Sequence, residues 1–581
     1  RTGDDVRSRV ILAEIATGDG EWEEALNMYR HVLRWDPENL AAKVRLGEVE
    51  TLLLRNTKNI RVDPITTFER VIARSPNNIR ARIGMARAFS RLKDFDNALA
   101  QYDLAINSDA DNIVAHRERA RLLYWTHQYE ASDLAYDSLE APAAVEAFPM
   151  DIFGTRSSEA ALQTEMEYEA LVNVQENIQL EKEAKRLAGF RDKQAVDIYK
   201  RLIAREPNNT EARFDLAQIY TRNEYTKKAI QEYEDLLNID PHHEEALDVL
   251  GRLSTYLEPR VVVAMDSFDA KGRGGLSEMA VDSYMIGVEY PWGDQDEYLS
   301  VSYGRKRYSS DTVVFDPAVP NNQAAWERFG SMGSNVFELR AQDKFKDDVL
   351  LKGGVQFSDF DRADGFDDRP NFDLGIEFQT KAATRIEARV FTDNVAENGQ
   401  SISQDIHRTG TSIAVHSKPN RMWDYGSNFT YADYSDRNTS YELNSYTSYL
   451  YSLPPQQLKI LLKLDYRDFG ERDNFLESGN DTTPFSSDHP YFAPSSYMLY
   501  SAGFEWKHWL NPELYHGSED IWYSVNASVL LDNNSENYTY FGMTANYEIS
   551  DSLSFAVDTS ALRSSVVDRT SARLFLLIRM P

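Results

Sequence analysis

The sequence predicts a multidomain chain, α then β: an N-terminal helical solenoid over residues 1–258, then a transmembrane antiparallel β-barrel of about sixteen strands over residues 259–581. Three observations predict it. Short turn motifs recur in the first part at a spacing near 34 residues. The composition changes near residue 259, from Ala, Leu, Glu, Arg and Lys to Tyr, Ser, Asp, Asn, Gly and Phe. From Arg260 onward the apolar period switches from 3.6 to 2.

The turns of the first part are DPEN at Asp36, SPNN at Ser75, DADN at Asp109, EPNN at Glu206 and DPHH at Asp240. Their offsets are about 39, 34, 97 and 34 residues, so the wide gap holds an insertion. Registered on these turns, Leu216, Ala217, Tyr220, Ala229, Tyr233 and Leu236 fall where small and large residues must alternate for two helices to pack closely. Ala13, Ala25, Tyr29 and Pro37 do the same earlier, as do Ala86, Phe89, Ala98, Tyr102 and Ala105, while Leu46-Gly47 and Leu250-Gly251 supply close-contact pairs. The pattern resembles the tetratricopeptide repeat (TPR) family over about 200 residues. That resemblance implies a solenoid whose motif residues pack helices and carry no chemistry, with a concave groove for a partner protein. The interruption APAAVEAFPMDIFG divides the array: block one over 1–140, a linker or hinge over 141–157, and block two over 158–258. Block two opens on a long charged helix, about Ser158 to Ala188, that leads into Ala195, Tyr199 and Leu202.

Composition narrows the function. The chain has 581 residues and no cysteine, which removes disulfides, thiolate nucleophiles and Cys-ligated metals. A net charge of -30, shared by both halves, opposes binding to nucleic acid, where Lys and Arg must neutralise phosphates. The mean hydropathy is -0.53 and no run of about 18 apolar residues occurs, so no transmembrane helix is expected. A barrel is compatible with both values, because alternating strands average to a polar mean. The opening RTGDDVRSRV has no apolar core of a signal peptide, so a mature or trimmed chain is expected.

The strands are read from alternation. In NFDLGIEFQ, Phe372, Leu374, Ile376 and Phe378 alternate with Asp373, Gly375, Glu377 and Gln379. In QLKILLKLDYR, Leu458, Ile460, Leu462, Leu464 and Tyr466 form one face, and Ile521, Tyr523, Val525, Ala527, Val529 and Leu531 form another in DIWYSVNASVLL. Alternation fits a half-exposed soluble sheet as well as a barrel, but connection lengths separate the two. Outward connections run from about 5 to about 28 residues and inward ones from about 3 to about 10, the long and short alternation of an outer-membrane barrel. Trp292, Trp423, Tyr425, Tyr449, Tyr451, Trp506, Trp509, Trp522 and Tyr547 lie near strand ends, where an interfacial aromatic girdle is expected. ARLFLLIRMP supplies a closing strand.

No phosphate-binding loop, zinc-protease motif, nucleophile elbow or dinucleotide fingerprint occurs, so no catalytic residue and no cofactor is assigned and the chain is read as a non-enzyme. The loop DFDRADGFDDR carries Asp359, Asp361, Asp364, Asp367 and Asp368, but Ala363 stands where a calcium loop needs its third ligand; it is read as a solvated acidic loop and no metal is assigned. The polar residues expected to face the lumen are Asp373, Glu377, Arg385, Glu387, Arg389, Asp424, Glu442, Lys459, Lys463, Asp465, Arg467, Glu505 and Lys507. Tyr446, Trp522 and Tyr497 are inward aromatics able to stack on a ligand in the lumen or to pack a plug.

The segment HPYFAPSSYMLY presents Tyr491, Phe492, Ala493, Pro494 and Tyr497 at the entry to a late strand. With a TPR array ahead of a barrel of this size, it resembles the TPR-containing outer-membrane export porins for poly-N-acetylglucosamine, cellulose and Pel-type exopolysaccharides. That resemblance implies a barrel that conducts an exopolysaccharide, periplasmic protein partners for the TPR array, and a location in the outer membrane of a Gram-negative bacterium among its lipids. Read from the residues alone, YFAP is equally a Pro-terminated loop with aromatic anchors at the membrane interface. A non-conducting outer-membrane scaffold that assembles a protein complex on its TPR groove stays open beside the conduit.

Overall fold

A computed structural model describes all residues except 1, 19–20, 55–61, 140–157, 242, 274–276, 295–296, 315–326, 347, 362–365, 381–382, 472–490, 511–520, 551 and 581. The expected linker at 141–157 therefore lies outside the described residues. Helices come first: α1 (Thr2–Gly18), α2 (Trp22–Trp35), α3 (Leu40–Leu52), α4 (Pro64–Arg74), α5 (Ile79–Arg91), α6 (Phe95–Ser108), α7 (Ile113–Trp125), α8 (Tyr129–Asp137), α9 (Ser158–Leu187), α10 (Asp192–Arg205), α11 (Thr210–Arg222), α12 (Thr226–Ile239) and α13 (Glu244–Tyr256). Packing divides the chain into two compact units, one of residues 1–187, 195–213 and 236–244, the other of 188–194, 214–235 and 245–581.

The recurring turns end one helix and start the next. Asp36 and Ser75 donate their backbone N–H to Val32 and Val71, closing the last turns of α2 and α4. The asparagine that ends four of the five motifs then caps the following helix: the side chains of Asn39, Asn78, Asn112 and Asn209 accept the N–H groups of Ala42, Ala81, Ala115 and Ala212. Such a cap satisfies one of the donors that a helix start leaves free. Ala25, Tyr29, Ala98, Ala105, Ala195, Tyr199, Leu216, Ala217, Ala229, Tyr233 and Leu236 are buried, as the repeat pattern requires. Glycine is demanded at two contacts, because a Cβ at Gly47 would sit 2.8 Å from the Phe68 ring and one at Gly84 would collide with it.

In the first unit α9 is tied in by charge. Glu181 is fully buried and accepts Arg121 Nε at 2.6 Å, Arg117 Nε at 2.7 Å and the Tyr136 hydroxyl at 2.7 Å. Arg117 also reaches Glu206 at 3.2 Å, and Lys185 reaches Glu211 at 3.3 Å. Burial would raise the Glu181 carboxyl, but Arg121 and Arg117 overrule it and hold it well below the usual carboxylate range.

The strands are β1 (Arg260–Gly272), β2 (Met279–Pro291), β3 (Tyr298–Val314), β4 (Glu327–Lys346), β5 (Val349–Phe360), β6 (Asn371–Gln379), β7 (Thr384–Asn394), β8 (His407–Ser417), β9 (Trp423–Tyr434), β10 (Thr439–Ser452), β11 (Gln456–Phe469), β12 (Tyr497–Trp509), β13 (Trp522–Asp532), β14 (Asn537–Ser550), β15 (Leu553–Arg563) and β16 (Val567–Arg579). They form one closed antiparallel barrel, each strand paired with its sequence neighbours and β1 closing on β16 from Arg260↔Arg579 to Gly272↔Val567. A short fourteenth helix, α14 (Gly399–Ser403), lies in the β7–β8 connection. The chain is thus a TPR-type solenoid followed by a closed sixteen-strand barrel.

Two details differ from the sequence reading. β3 and β4 run on to Val314 and back to Glu327, well past the span expected from alternation; the added pairs Tyr308↔Met332, Ser309↔Ser331 and Ser310↔Gly330 mix serine and glycine with buried apolar side chains, so the period of two is lost there. Trp509 and Trp522 do not join the outer girdle; they pair across β12 and β13 on the inner face, with Lys507 Nζ 3.5 Å from the Trp522 ring centre. Trp423 and Tyr425 stand outward as expected, their rings 5.9 Å apart and parallel within 6°. Tyr284, Ile286, Val301, Tyr303, Leu374, Phe378, Ile413, Val529 and Phe541 give the outer face its exposed apolar surface.

Candidate functional site

The barrel's inner face is the candidate site. Period two fixes it: along each strand the apolar exposed residues alternate with the others, and pairing carries the parity from strand to strand. The register joins Asp373 to Phe391 and Gly354, Glu377 to Glu387, and Arg389 to Gly375. It joins Arg385 to His416, Glu442 to Arg467, Lys459 to Glu505, Asp424 to Ser448, and Lys463 and Asp465 to Tyr446 and Asn444. Every polar residue expected in the lumen from sequence, Lys507 included, has this inward parity, as do Tyr446, Tyr497 and Trp522.

Many of the charges are paired with one of opposite sign. Arg389 Nε donates to Asp373 at 2.7 Å, and Lys352 bridges Glu377 at 2.7 Å and Glu387 at 2.9 Å. Arg340 holds Glu338 at 2.7 Å, Arg408 holds Asp393 at 2.7 Å, and Lys459 faces Glu505 at 3.6 Å. Arg260 with Glu289 and Arg573 with Asp266 continue the pattern around the closure. Glu338, Arg340 and Lys352 escaped the sequence reading. Gly353, Gly354 and a polar Gln356 blur the alternation of β5, although parity counted from Leu351 and Phe357 would have placed Lys352 inside, and parity counted from Phe337 and Leu339 on β4 would have placed Glu338 and Arg340 there too.

One end of the lumen is filled by chain. From Val395 to Ile406 the β7–β8 connection turns inward: Val395 N–H donates to Ile406 O at 2.8 Å, and Asn398 and Ser401 cap α14 reciprocally. Asn398, Gln400, Ser401 and Ile402 are at most 1 % exposed, and Ile402 packs with Met279, Tyr308, Phe329, Met332 and Phe366. Beside it lies YFAP. Tyr491 stacks on Tyr434 at 4.9 Å and clusters with Val395, Ile406 and Phe469, while the Phe492 N–H donates to Glu397 at 3.1 Å. Arg273, from the β1–β2 connection, lies 4.0 Å over the Phe492 ring and donates to the Tyr497 and Tyr538 hydroxyls. Tyr491, Phe492, Ala493, Pro494 and Tyr497 are all buried, so the expectation of anchors at the membrane interface is corrected. The missed signal was the buried Asn-Gly-Gln-Ser helix start, which resembles an ordinary polar loop in sequence.

In the acidic loop, Asp364 lies outside the described residues. Asp361 accepts the Gly333 N–H at 2.7 Å and Arg305 at 2.9 Å, Asp368 accepts the Phe360 N–H at 3.2 Å, and Asp367 holds Arg369 at 3.0 Å. Asp361 is thereby tied to β3 and β4, and Asp368 to the end of β5.

Fold and site together define a class, a TPR-type helical solenoid joined to a closed sixteen-strand antiparallel barrel whose inner face carries many paired charges. Residues 193–253 match the tetratricopeptide repeat family. The chain is similar to "Tetratricopeptide repeat protein 21B" of Mus musculus, 23% identical over 137 residues; this covers 24% of the chain and 10% of that protein, so the chain spans about a tenth of the length of the curated relative it matches. Among solved structures it is similar to a "Bacterial polysaccharide outer membrane secretin", with 13% identity and a TM-score of 0.42 over 56% of this chain and 99% of that one. A tetratricopeptide repeat protein from Parabacteroides merdae aligns over 43% of this chain and 85% of its own, at 15% identity and a TM-score of 0.26.

Proposed function

We propose that the protein is an outer-membrane conduit through which an exopolysaccharide made at the inner membrane leaves the cell. The observation that carries this reading is the wall of the closed barrel, where charged side chains lie open to the lumen and many are paired with a neighbour of opposite sign. Such a wall offers a hydrated polymer many weak contacts and no deep well, so a glycan slides without stalling. No residue in it is assigned to bond making or breaking. The lumen residues named above are the ones proposed to line the path.

The TPR array is placed in the periplasm, where it docks partner proteins or guides the polymer. Supporting this, the solenoid leads into β1 at the end of the barrel with the short connections, the periplasmic end of such barrels. Within the second unit, Lys193 donates to Gln379 O at 2.8 Å, the Lys227 N–H donates to Asp294 at 2.7 Å and Arg421 donates to Ala188 O at 3.2 Å, all at those short turns. Blocks 1–140 and 158–258 are proposed as two working parts of the array, joined through 141–157.

A filled outer mouth favours the second reading, a non-conducting scaffold. Two measurements decide. In a strain lacking the protein, the conduit requires polymer trapped in the periplasm; unchanged secretion sinks it. In planar bilayers, the conduit requires ion conductance that rises when residues 396–405 are removed, whereas a scaffold stays silent in both forms.

A further inference from the structure

The charged wall of the lumen contains a hollow. It lies on β3 to β7, has a volume of about 520 Å³, and falls in the range of ligand sites, roughly 300–1,000 Å³. Its floor is made by two inward glycines. Across the barrel, one row reads Arg340, Gly354, Asp373, and the adjacent row reads Lys352, Gly375, Arg389. Each glycine is thus flanked on both sides by a charged residue.

These glycines are not there for want of space. A Cβ on Gly354 would meet nothing nearer than Arg340 Cγ at 3.4 Å, and one on Gly375 nothing nearer than the Ala388 carbonyl oxygen at 3.7 Å, both ordinary contacts. Neither has the backbone conformation that favours glycine. Elsewhere on the inner face glycine is forced: a Cβ at Gly410 would lie 2.6 Å from Phe391, and one at Gly426 would collide with Tyr446. Glycine in a strand interior is unfavourable unless something else must approach the backbone. At Gly354 and Gly375 nothing among the described residues does so.

We propose that this hollow is a binding subsite for uncharged pyranose units of the transported glycan, an inference that rests on the conduit reading. The chemistry follows from the pairs. Arg389 with Asp373, and Lys352 with Glu377 and Glu387, present a donor and an acceptor side by side. A sugar hydroxyl is both donor and acceptor, so neighbouring hydroxyls satisfy such a pair without separating it. A uronate would compete for the cation and an amino sugar for the carboxylate; either leaves one partner unmatched in a half-buried site. The glycines let the ring lie against the backbone between the two rows.

The test uses the full chain in detergent micelles, titrated calorimetrically with a neutral glucose hexamer, an oligouronate and a glucosamine hexamer. The expected result is that the neutral hexamer binds at least ten-fold more tightly than either charged one. G375L and G354L, which fill the hollow, should weaken it at least ten-fold while keeping the barrel's unfolding midpoint. If either leucine variant fails to fold, the paired variant D373N/R389Q serves instead, with the same loss expected. A charged oligomer that binds more tightly, or hollow-filled variants that bind like the wild type, would overturn the subsite. The conduit reading fails by a different result, unchanged secretion without the protein, so the two failures are distinguishable.

Discussion

Replacing Glu181 with Gln removes a buried charge that two guanidinium groups and the Tyr136 hydroxyl share. The side chain is fully buried, and its two oxygens take Arg121, Arg117 and Tyr136 at 2.6 to 2.7 Å. Gln keeps the shape but leaves two guanidinium groups, 18% and 19% exposed, facing a neutral amide. Breaking one side of a buried ion pair costs about 3–5 kcal/mol. Arg117 retains Glu206 at 3.2 Å and Arg121 has Glu211 at 4.0 Å, which places this case at the low end, about 3 kcal/mol. For a helical unit of this size that lowers the midpoint by roughly 6–12 °C. The assay is thermal unfolding of the whole chain followed by the helical circular dichroism signal.

The pH dependence gives an independent check on the same substitution. The folded carboxyl titrates well below its ordinary value of 4.5, so the stabilisation is complete above 4.5 and is lost as pH falls below it. The gap between wild type and E181Q should therefore be constant near neutrality and close under acid. A gap that persists unchanged well below pH 4.5, or a loss under 1 kcal/mol at neutral pH, would refute the charge-based account.

Asn78→Ala and Asn112→Ala each remove a helix cap and should cost about 1 kcal/mol, adding when combined because they cap different helices; urea titration of the helical signal checks this. Gly84→Ala drives a Cβ into the Phe68 ring and should destabilise by about 1–3 kcal/mol; at Gly251, where the sequence pattern had placed a close contact, a Cβ meets no described atom within 4 Å, so Gly251→Ala should stabilise by up to about 1 kcal/mol in the same assay. Leu374→Arg places a charge on the exposed apolar face of β6 and should cost about 2–4 kcal/mol in barrel refolding into lipid vesicles, while Asp373→Asn, one residue along and facing inward, should cost far less. Glu397→Ala frees the Phe492 N–H, a bond to a charged acceptor worth about 1.5–3 kcal/mol, so the open fraction of single channels should rise about ten-fold or more; an unchanged open fraction would show that this bond does not hold the mouth shut.

What the sequence determined about this protein is what periodicity can carry. The turn motifs and the Ala, Gly and Tyr positions between them specify paired helices, because each repeat must bury one face against the next. Sixteen segments of alternating residues, joined by longer and shorter connections, specify an antiparallel barrel. Within any one strand, the parity that turns Leu374 outward also turns Asp373 and Glu377 inward, so the lumen candidates could be named before any pairing was known.

Only the tertiary structure decided which of those residues meet. Register sets the partner of each inward charge, and a slip of one residue would turn every side chain to the other face. It is register that puts Gly354 between Arg340 and Asp373, and Gly375 between Lys352 and Arg389, from four separate strands. Loops carry no period, so the inward fold of α14 and the burial of Tyr491 and Phe492 could not be read from their composition. Glu181 appears in sequence as one more acid on a charged helix; its burial depends on Arg117, Arg121 and Tyr136 arriving from helices 45 to 64 residues away along the chain. Local pattern fixes which face of an element is which, and closure of the barrel and stacking of the helices fix what that face touches.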